Sequence, residues 1–326
     1  SSKEGLILLS GTTSVTAFAS LAIYDAQTLS LTADIAGSFT LEVLKGTLMA
    51  MDERLMAVRP HPDQINTAAN IRAILKDSPM LERYRGHRVQ DALSIRCMPQ
   101  LHGPVKKAVK DAQTTLAIEL NSSVDNPLIF DEEDGGAVAL MGCNADGTYA
   151  GMASDNLCIA ITDLCKMSNS RIDRLLNSLV SELPAFLNKN ADFNNGLMMI
   201  QYASAGLQGE LRILAHPAVV DNLTTCANQE DYVNMGYNAA KKAYDSMHLA
   251  KYILAAELIC DGQALDCYED KRCAKGTQAI YDLLRSKVPE MDNDMPLTPY
   301  LEAVAQQIID RAYIRTVEAS VGALKF

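Results

Sequence analysis

Residues 252–260 read YILAAELIC. A helix with that sequence has no polar side to turn towards water, so it belongs at the centre of a bundle, enclosed by other helices. It lies within a longer helical stretch, 229–267, that carries few charges. Glu257 is the lone carboxylate in the run. Burying it unpaired would cost several kcal/mol, so it reads as a paired structural group rather than a catalytic one.

The rest of the chain supplies the enclosure. Residues 104–121, PVKKAVKDAQTTLAIELN, place Val105, Ala108, Val109, Ala112, Leu116 and Leu120 on one stripe. Pro104 suits the first helical position, where its missing N–H costs nothing. Residues 154–180 repeat the pattern through Leu157, Ile161, Leu164, Ile172, Leu175 and Leu179. Further helices are expected over 11–37, 39–48, 196–215 and 299–321, the last with Thr298 as N-cap and Pro299 at its first position. Strand signals are sparse, and LIFDEEDGGAVALMG (128–142) is the best candidate for a hairpin. The expectation is one mostly all-α long-helix bundle over 1–326, with a small β-hairpin or irregular loop near 128–148. A monomer of this size cannot easily bury several helices that are apolar all round. Packing against copies in a symmetric oligomer would bury them.

The formal net charge of −11 argues against a nucleic-acid or anionic-membrane partner, since phosphate binding needs clustered Lys and Arg. Eight cysteines form no CxxC and do not cluster with the five histidines. They read as free thiols, mostly buried, in a reducing cytoplasm, with no metal site. No signal peptide and no run of about 18 apolar residues is visible. The opening, SSKEGLILLSGTT, passes almost at once into apolar sequence, as at an internal cut or in a subunit whose beginning lies elsewhere.

Four polar strings interrupt the helical pattern: Gln90-Asp91…Arg96…Gln100, Asn121…Asp125-Asn126-Pro127, Asn144-Ala145-Asp146-Gly147, and Asn228-Gln229-Glu230-Asp231. Each has a structural explanation. Asp125-Asn126-Pro127 and Asn144–Gly147 are good turn chemistry. Asn228 can cap a helix whose acidic first turn, Glu230 and Asp231, complements the helix dipole. Arg96 stays charged and needs a carboxylate or several carbonyls. Its internal candidate is Asp91, and its external one is a substrate carboxylate.

Taken in order, VQDALSIRCMPQ, LAIELNSSVDNPLIF, PAFL…NNGLMMIQ, LAHPAVVD and TCANQEDYV resemble the aromatic amino acid ammonia-lyases, and Gln229-Glu230 points to the histidine branch. The order and spacing hold from KEGLILLSGTT to VPEMDNDMPL. The resemblance implies a helical fold of the ammonia-lyase/fumarase-like type and a homotetramer with sites shared between subunits. It implies a small amino acid substrate and ammonia elimination without a metal. The electrophile would be a methylidene-imidazolone made from an internal Ala-Ser-Gly. The Gly-Ser-Ser-x-Met-Pro loop of the fumarase and argininosuccinase lyases is missing here.

Carried over by motif, Arg96 takes the role of the arginine that holds the substrate carboxylate, and Gln90 and Glu230 those of polar groups lining the pocket. Gln229 and Asn144 lie at pocket positions as well. The departures are specific. Leu93 stands where the family has a tyrosine that joins in the chemistry. Ser10 replaces the asparagine of LLNGT, and Ala145 and Asp146 replace the Phe and His of Asn-Phe-His. No Ala-Ser-Gly occurs in these 326 residues. Two expectations follow. The chain is the C-terminal two-thirds of a histidine ammonia-lyase-like enzyme, inactive by itself. Alternatively, it is a degenerate or re-purposed homologue: an aminomutase, an enzyme for another amino acid, or a binding or assembly protein.

Overall fold

A computed structural model describes residues 2–190 and 193–326. The chain forms a long-helix bundle with one small hairpin. It opens with α1 (Ser2–Ser10) and α2 (Thr13–Val43). Short helices α3 (Glu53–Ala57), α4 (Pro62–Ile74), α5 (Pro79–Arg83) and α6 (Leu93–Arg96) lead into α7 (Met98–Glu119). The hairpin β1 (Leu128–Asp131) and β2 (Ala137–Leu140) pairs Leu128 with Leu140 and Asp131 with Ala137, and Gly135, at φ +81°, supplies its turn. Then come α8 (Thr148–Leu176), α9 (Ser178–Ser181), α10 (Met198–Leu214) and α11 (Gly236–Asp266). The chain closes with α12 (Lys275–Arg285), α13 (Thr298–Ile309) and α14 (Ala312–Val321).

Three long helices, α2, α8 and α11, run side by side in the same direction. At their starts, Gly147 sits against Thr12, Val15 and Asn234. Further along, Arg171 of α8 lies beside Gly37 of α2 and pairs with Glu257 of α11. Helix α7 runs the other way. Met98 at its start crowds Gly37, while Ala112 and Leu116 near its end line a small apolar cavity with Ala19 and Ile23.

The YILAAELIC segment is central, as its composition requires: every residue from Ile253 to Asp266 is buried. Helix α2 is equally central, with every residue from Thr28 to Val43 buried. It tolerates this because most of its buried hydroxyls bond back to their own helix. Ser30 Oγ donates to Ala26 O at 2.6 Å, and Thr32 Oγ1 to Thr28 O at 2.9 Å. Its fully buried acids are held by hydrogen bonds, Glu42 Oε1 by Ser78 and by Ala274 N (2.7 Å) rather than by a cation. Asp34 accepts from His102 Nδ1 (2.8 Å), Lys106 Nζ (2.5 Å) and Asn70 Nδ2 (2.8 Å). Glu257 accepts from Arg171 Nε (2.5 Å) and Nη2 (3.0 Å), from Thr40 and from Ser168, so it is a paired structural carboxylate.

Several boundaries differ from the sequence reading. The stretches 11–37 and 39–48 are one helix over 13–43, because buried Gly37 and Ser38 are packed rather than breaking it, and the chain leaves the helix at Leu44, short of the expected end. Pro104 is inside α7, which starts at Met98 with Pro99 in its first turn. Helix α8 begins six residues earlier than expected, at Thr148. The last helix is two: Arg311, at φ +58°, breaks it between α13 and α14. Asn228 caps no helix. It lies at φ +70°, and α11 starts only at Gly236. Of the eight free cysteines, Cys158, Cys165 and Cys260 are buried, whereas Cys143 and Cys226 are exposed. No single helix among the described residues is long and apolar enough to cross a membrane.

Candidate functional site

The residues singled out by motif fall into two groups. The first gathers where α2, α8 and α11 begin. Gly147, which precedes α8, touches Thr12 before α2 and Asn234 before α11. Three parallel helices therefore bring their N-termini, with unsatisfied N–H groups and positive dipole ends, to one place. Ser10, at the end of α1, is exposed, and its hydroxyl donates back to Leu6 O at 2.8 Å. Asn144 is exposed and Ala145 half-buried. Asp146 Oδ1 accepts from Thr148 N at 2.9 Å, so the residue in place of the family's histidine turns the chain into α8 just ahead of its N-cap, Gly147.

Gln229 and Glu230 reach this end on an exposed loop. Cys226, Ala227 and Asn228 all take positive φ, at 50°, 53° and 70°. That turn lets Thr225 N donate to Glu230 O at 2.8 Å. Asn222 braces the loop from its other flank: its Nδ2 donates to Asp231 O (3.1 Å), and its Oδ1 accepts from Val233 N (2.8 Å). Tyr232 Oη lies 3.1 Å from Thr148 Oγ1, joining the loop to the start of α8.

The second group lies at the far end of the bundle. The strap 86–92 leads into α6, which Arg171 ties to the bundle through Ser94 O at 3.2 Å. Gln90 is exposed, and Leu93 is 61% exposed. The internal partner considered for Arg96 is engaged elsewhere. Asp91 Oδ2 accepts from Thr47 N at 2.8 Å, and burial pushes its carboxyl above the ordinary range. Arg96 makes no ion pair among the described residues, and its Nε is buried without a hydrogen-bond partner. A guanidinium held half-buried with no anion suits a ligand carboxylate. Gln100 Oε1, one turn on, is a buried acceptor that is likewise unpartnered.

From Thr148, beside the first group, to Arg171, beside the second, is 23 residues along α8, or about 35 Å at 1.5 Å per residue. No side chain spans that distance. The structure brings Ser10, Asn144, Ala145 and the Gln229–Glu230 loop to one end, and Gln90, Leu93 and Arg96 to the other. Sequence reading missed Thr12, whose hydroxyl is buried and unpartnered where the three helices start. It stands in the LLSGTT string, but only the packing shows it to be enclosed.

Comparison with known proteins agrees with the fold and the motif order. The family profile for aromatic amino acid lyases matches residues 1–286. Histidine ammonia-lyase 2 of Fusobacterium nucleatum is 41% identical over 324 residues, 99% of this chain and 63% of that protein. The crystal structure of histidine ammonia-lyase from Trypanosoma cruzi superposes with a TM-score of 0.89 at 33% identity, covering 98% of this chain and 60% of that one. Tyrosine aminomutase from Streptomyces globisporus superposes at 0.91 with 28% identity, covering 99% and 65%. The chain thus spans a little under two thirds of the curated relatives it matches. With the family profile running over most of its length and its helices superposing on those of solved members, this chain belongs to the aromatic amino acid lyase family.

Proposed function

We propose that this chain carries two separate arms of a histidine ammonia-lyase-like active site, and that each complete site forms between chains of a homo-oligomer, with a tetramer as the assembly. The observation that carries this reading is the separation of the two groups. Arg96 sits about 35 Å along the bundle from the helix starts, so a site using both must take them from different copies.

Each arm has a physical role. Arg96 offers a bidentate fork to an amino acid carboxylate and fixes its orientation. Gln90 and Gln100 Oε1 border that position. At the other end, three helix N-termini and the Thr12 hydroxyl favour a group on which negative charge develops. Those residues fit a methylidene-imidazolone, and when present that group supplies the electrophile of the elimination. Its parent Ala-Ser-Gly is not among these 326 residues. Glu230, on its braced loop, faces outward to meet a substrate side chain held partly by another copy.

The test uses the full-length protein. Arg96→Ala and Glu230→Ala variants, each inactive alone, are mixed, unfolded and refolded together. Some mixed assemblies then hold sites with both native groups, and urocanate absorbance from histidine returns. Continued inactivity of well-folded mixtures would refute a site shared in this way.

A second reading, altered substrate or altered reaction, rests on Leu93. A side chain that can neither donate nor accept a proton stands exposed beside the carboxylate arm. Proton transfer by a positioned group contributes about 10²–10⁴-fold. If the ancestral pocket is otherwise intact, Leu93→Tyr in the full-length protein raises ammonia release from histidine. No change favours another substrate.

A further inference from the structure

We infer that Glu182 is a positioning residue for the carboxylate arm: its carboxylate gathers Lys45, His87 and Arg88, and so latches the strap that presents Gln90 and leads into α6 with Leu93 and Arg96. This rests on the reading that the strap lines the substrate pocket.

Glu182 follows α9, and Lys45 follows α2. Both take left-handed backbone conformations, at φ +60° and +56°. This position after a helix favours glycine, because a Cβ there is strained. A glutamate kept at such a place suggests a task for its side chain. Lys45 Nζ donates to Glu182 Oε2 at 2.8 Å, and His87 Nε2 lies 3.0 Å from both carboxylate oxygens. Arg88 Nη2 donates to Oε1 at 3.1 Å and to Val180 O at 3.3 Å. An isolated exposed ion pair would contribute little. Here one carboxylate joins three cationic or basic side chains from two separate segments of chain.

Packing does not hold the strap instead. Val89 is 96% exposed, and Gly86, His87 and Gln90 are exposed too. A cavity of about 740 Å³, lined in part by Lys45, Tyr84, His87 and Arg88, lies against it. The strap therefore has room to move, and besides the His87 N–Tyr84 O bond and the Tyr84–His87 ring contact the tether to Glu182 restrains it before Asp91 anchors to Thr47. Gln90 comes two residues beyond Arg88, ahead of that anchor. A shift of about 1 Å at such a group is enough to cost a large part of its effect.

The test compares Glu182→Gly, Glu182→Gln and Glu182→Asp in the full-length protein. Glycine removes the latch while relieving the backbone, so loss of the latch is separated from loss of folding. Exchange of the His87 amide, which donates to Tyr84 O at 2.9 Å within 86–92, should rise roughly tenfold in the Gly and Gln variants, as expected for lost charge-assisted bonds. Exchange in α11 should stay unchanged, the Gly variant should melt no lower than the parent, and Asp should restore part of the protection. In steady state, KM for the amino acid should rise several-fold with kcat little changed. Unchanged exchange at His87, or exchange that rises equally in α11, overturns the latch. A parent protein inert to histidine would count against the proposed reaction, while the exchange comparison would still decide the latch.

Discussion

Arg96 shows most directly how a residue's meaning depends on its neighbours. From sequence it had two candidate partners, Asp91 and a ligand carboxylate, with Asp91 the nearer to hand. The structure gives Asp91 to the Thr47 amide and, among the described residues, leaves Arg96 without an ion pair and its Nε without a hydrogen bond. Lysine keeps the charge but loses the planar fork, so Arg96→Lys in the full-length protein should raise KM by roughly 10–100-fold, the worth of one charge-assisted hydrogen bond. A KM within twofold of the parent would remove Arg96 from carboxylate binding. Glu182 brings a pH dependence. Hydrogen bonds from Lys45 and His87 lower its pKa from 4.5 to about 2. A depressed carboxyl stabilises the fold above its unfolded pKa and loses that contribution as pH falls. Protection of the His87 amide should therefore weaken between about pH 4.5 and 2, ahead of α11, in a pulse-exchange series. Leu93, Ser10 and Ala145 were legible as departures from motif, but nothing local told which of them share a space.

At the scale of the element, α11 and α2 were not equally readable. YILAAELIC announces a buried helix because its side chains are apolar. Helix α2 hides the same fate behind Thr28, Ser30, Thr32, Asp34, Ser38, Thr40 and Glu42, all buried. The hydroxyls of Thr28, Ser30, Thr32 and Ser38 satisfy themselves within the helix, so they pass into the core at little cost, and hydropathy does not register this. The buried acids depend on partners far along the chain. Thr40 Oγ1 lies 2.9 Å from Glu257 and 2.7 Å from Asp261, yet has one proton to give. Burial, and then the charge of Glu257, push the Asp261 carboxyl well above its ordinary value. Replacing Glu257 by Gln leaves Arg171 buried without its counter-charge. The expected loss is about 3–5 kcal/mol, read as a lower urea midpoint. A change below 1 kcal/mol would show that Arg171 finds another partner.

At the scale of the whole molecule, the direction of the helices decides what the chain can do. Because α2, α8 and α11 run parallel, their N-termini meet and their far ends diverge from that point by the full length of the bundle. On the proposed reading a single chain presents half a pocket at each end; exposed apolar groups lie at both, Leu93 at one and Leu8 and Leu9 on α1 at the other. Oligomeric assembly would place the two kinds of end together and cover those groups. The mixed-subunit experiment is a test at this scale, since it asks whether one chain's Arg96 works with another's Glu230.

The sequence by itself determined the helical class, the hairpin at 128–142, the central place of YILAAELIC and the order of motifs that shows the family. These depend on local periodicity, turn chemistry and side-chain type, which are written residue by residue. Only the tertiary structure decided that α2 is core, that Asn228 turns rather than caps, that Asp91 does not pair with Arg96, and that the candidate residues part into two groups. Most of those outcomes depend on which way helices run and on partners from 36 to 217 residues away. The physical reason is that burial and distance belong to pairs of elements, and no single stretch of chain contains them.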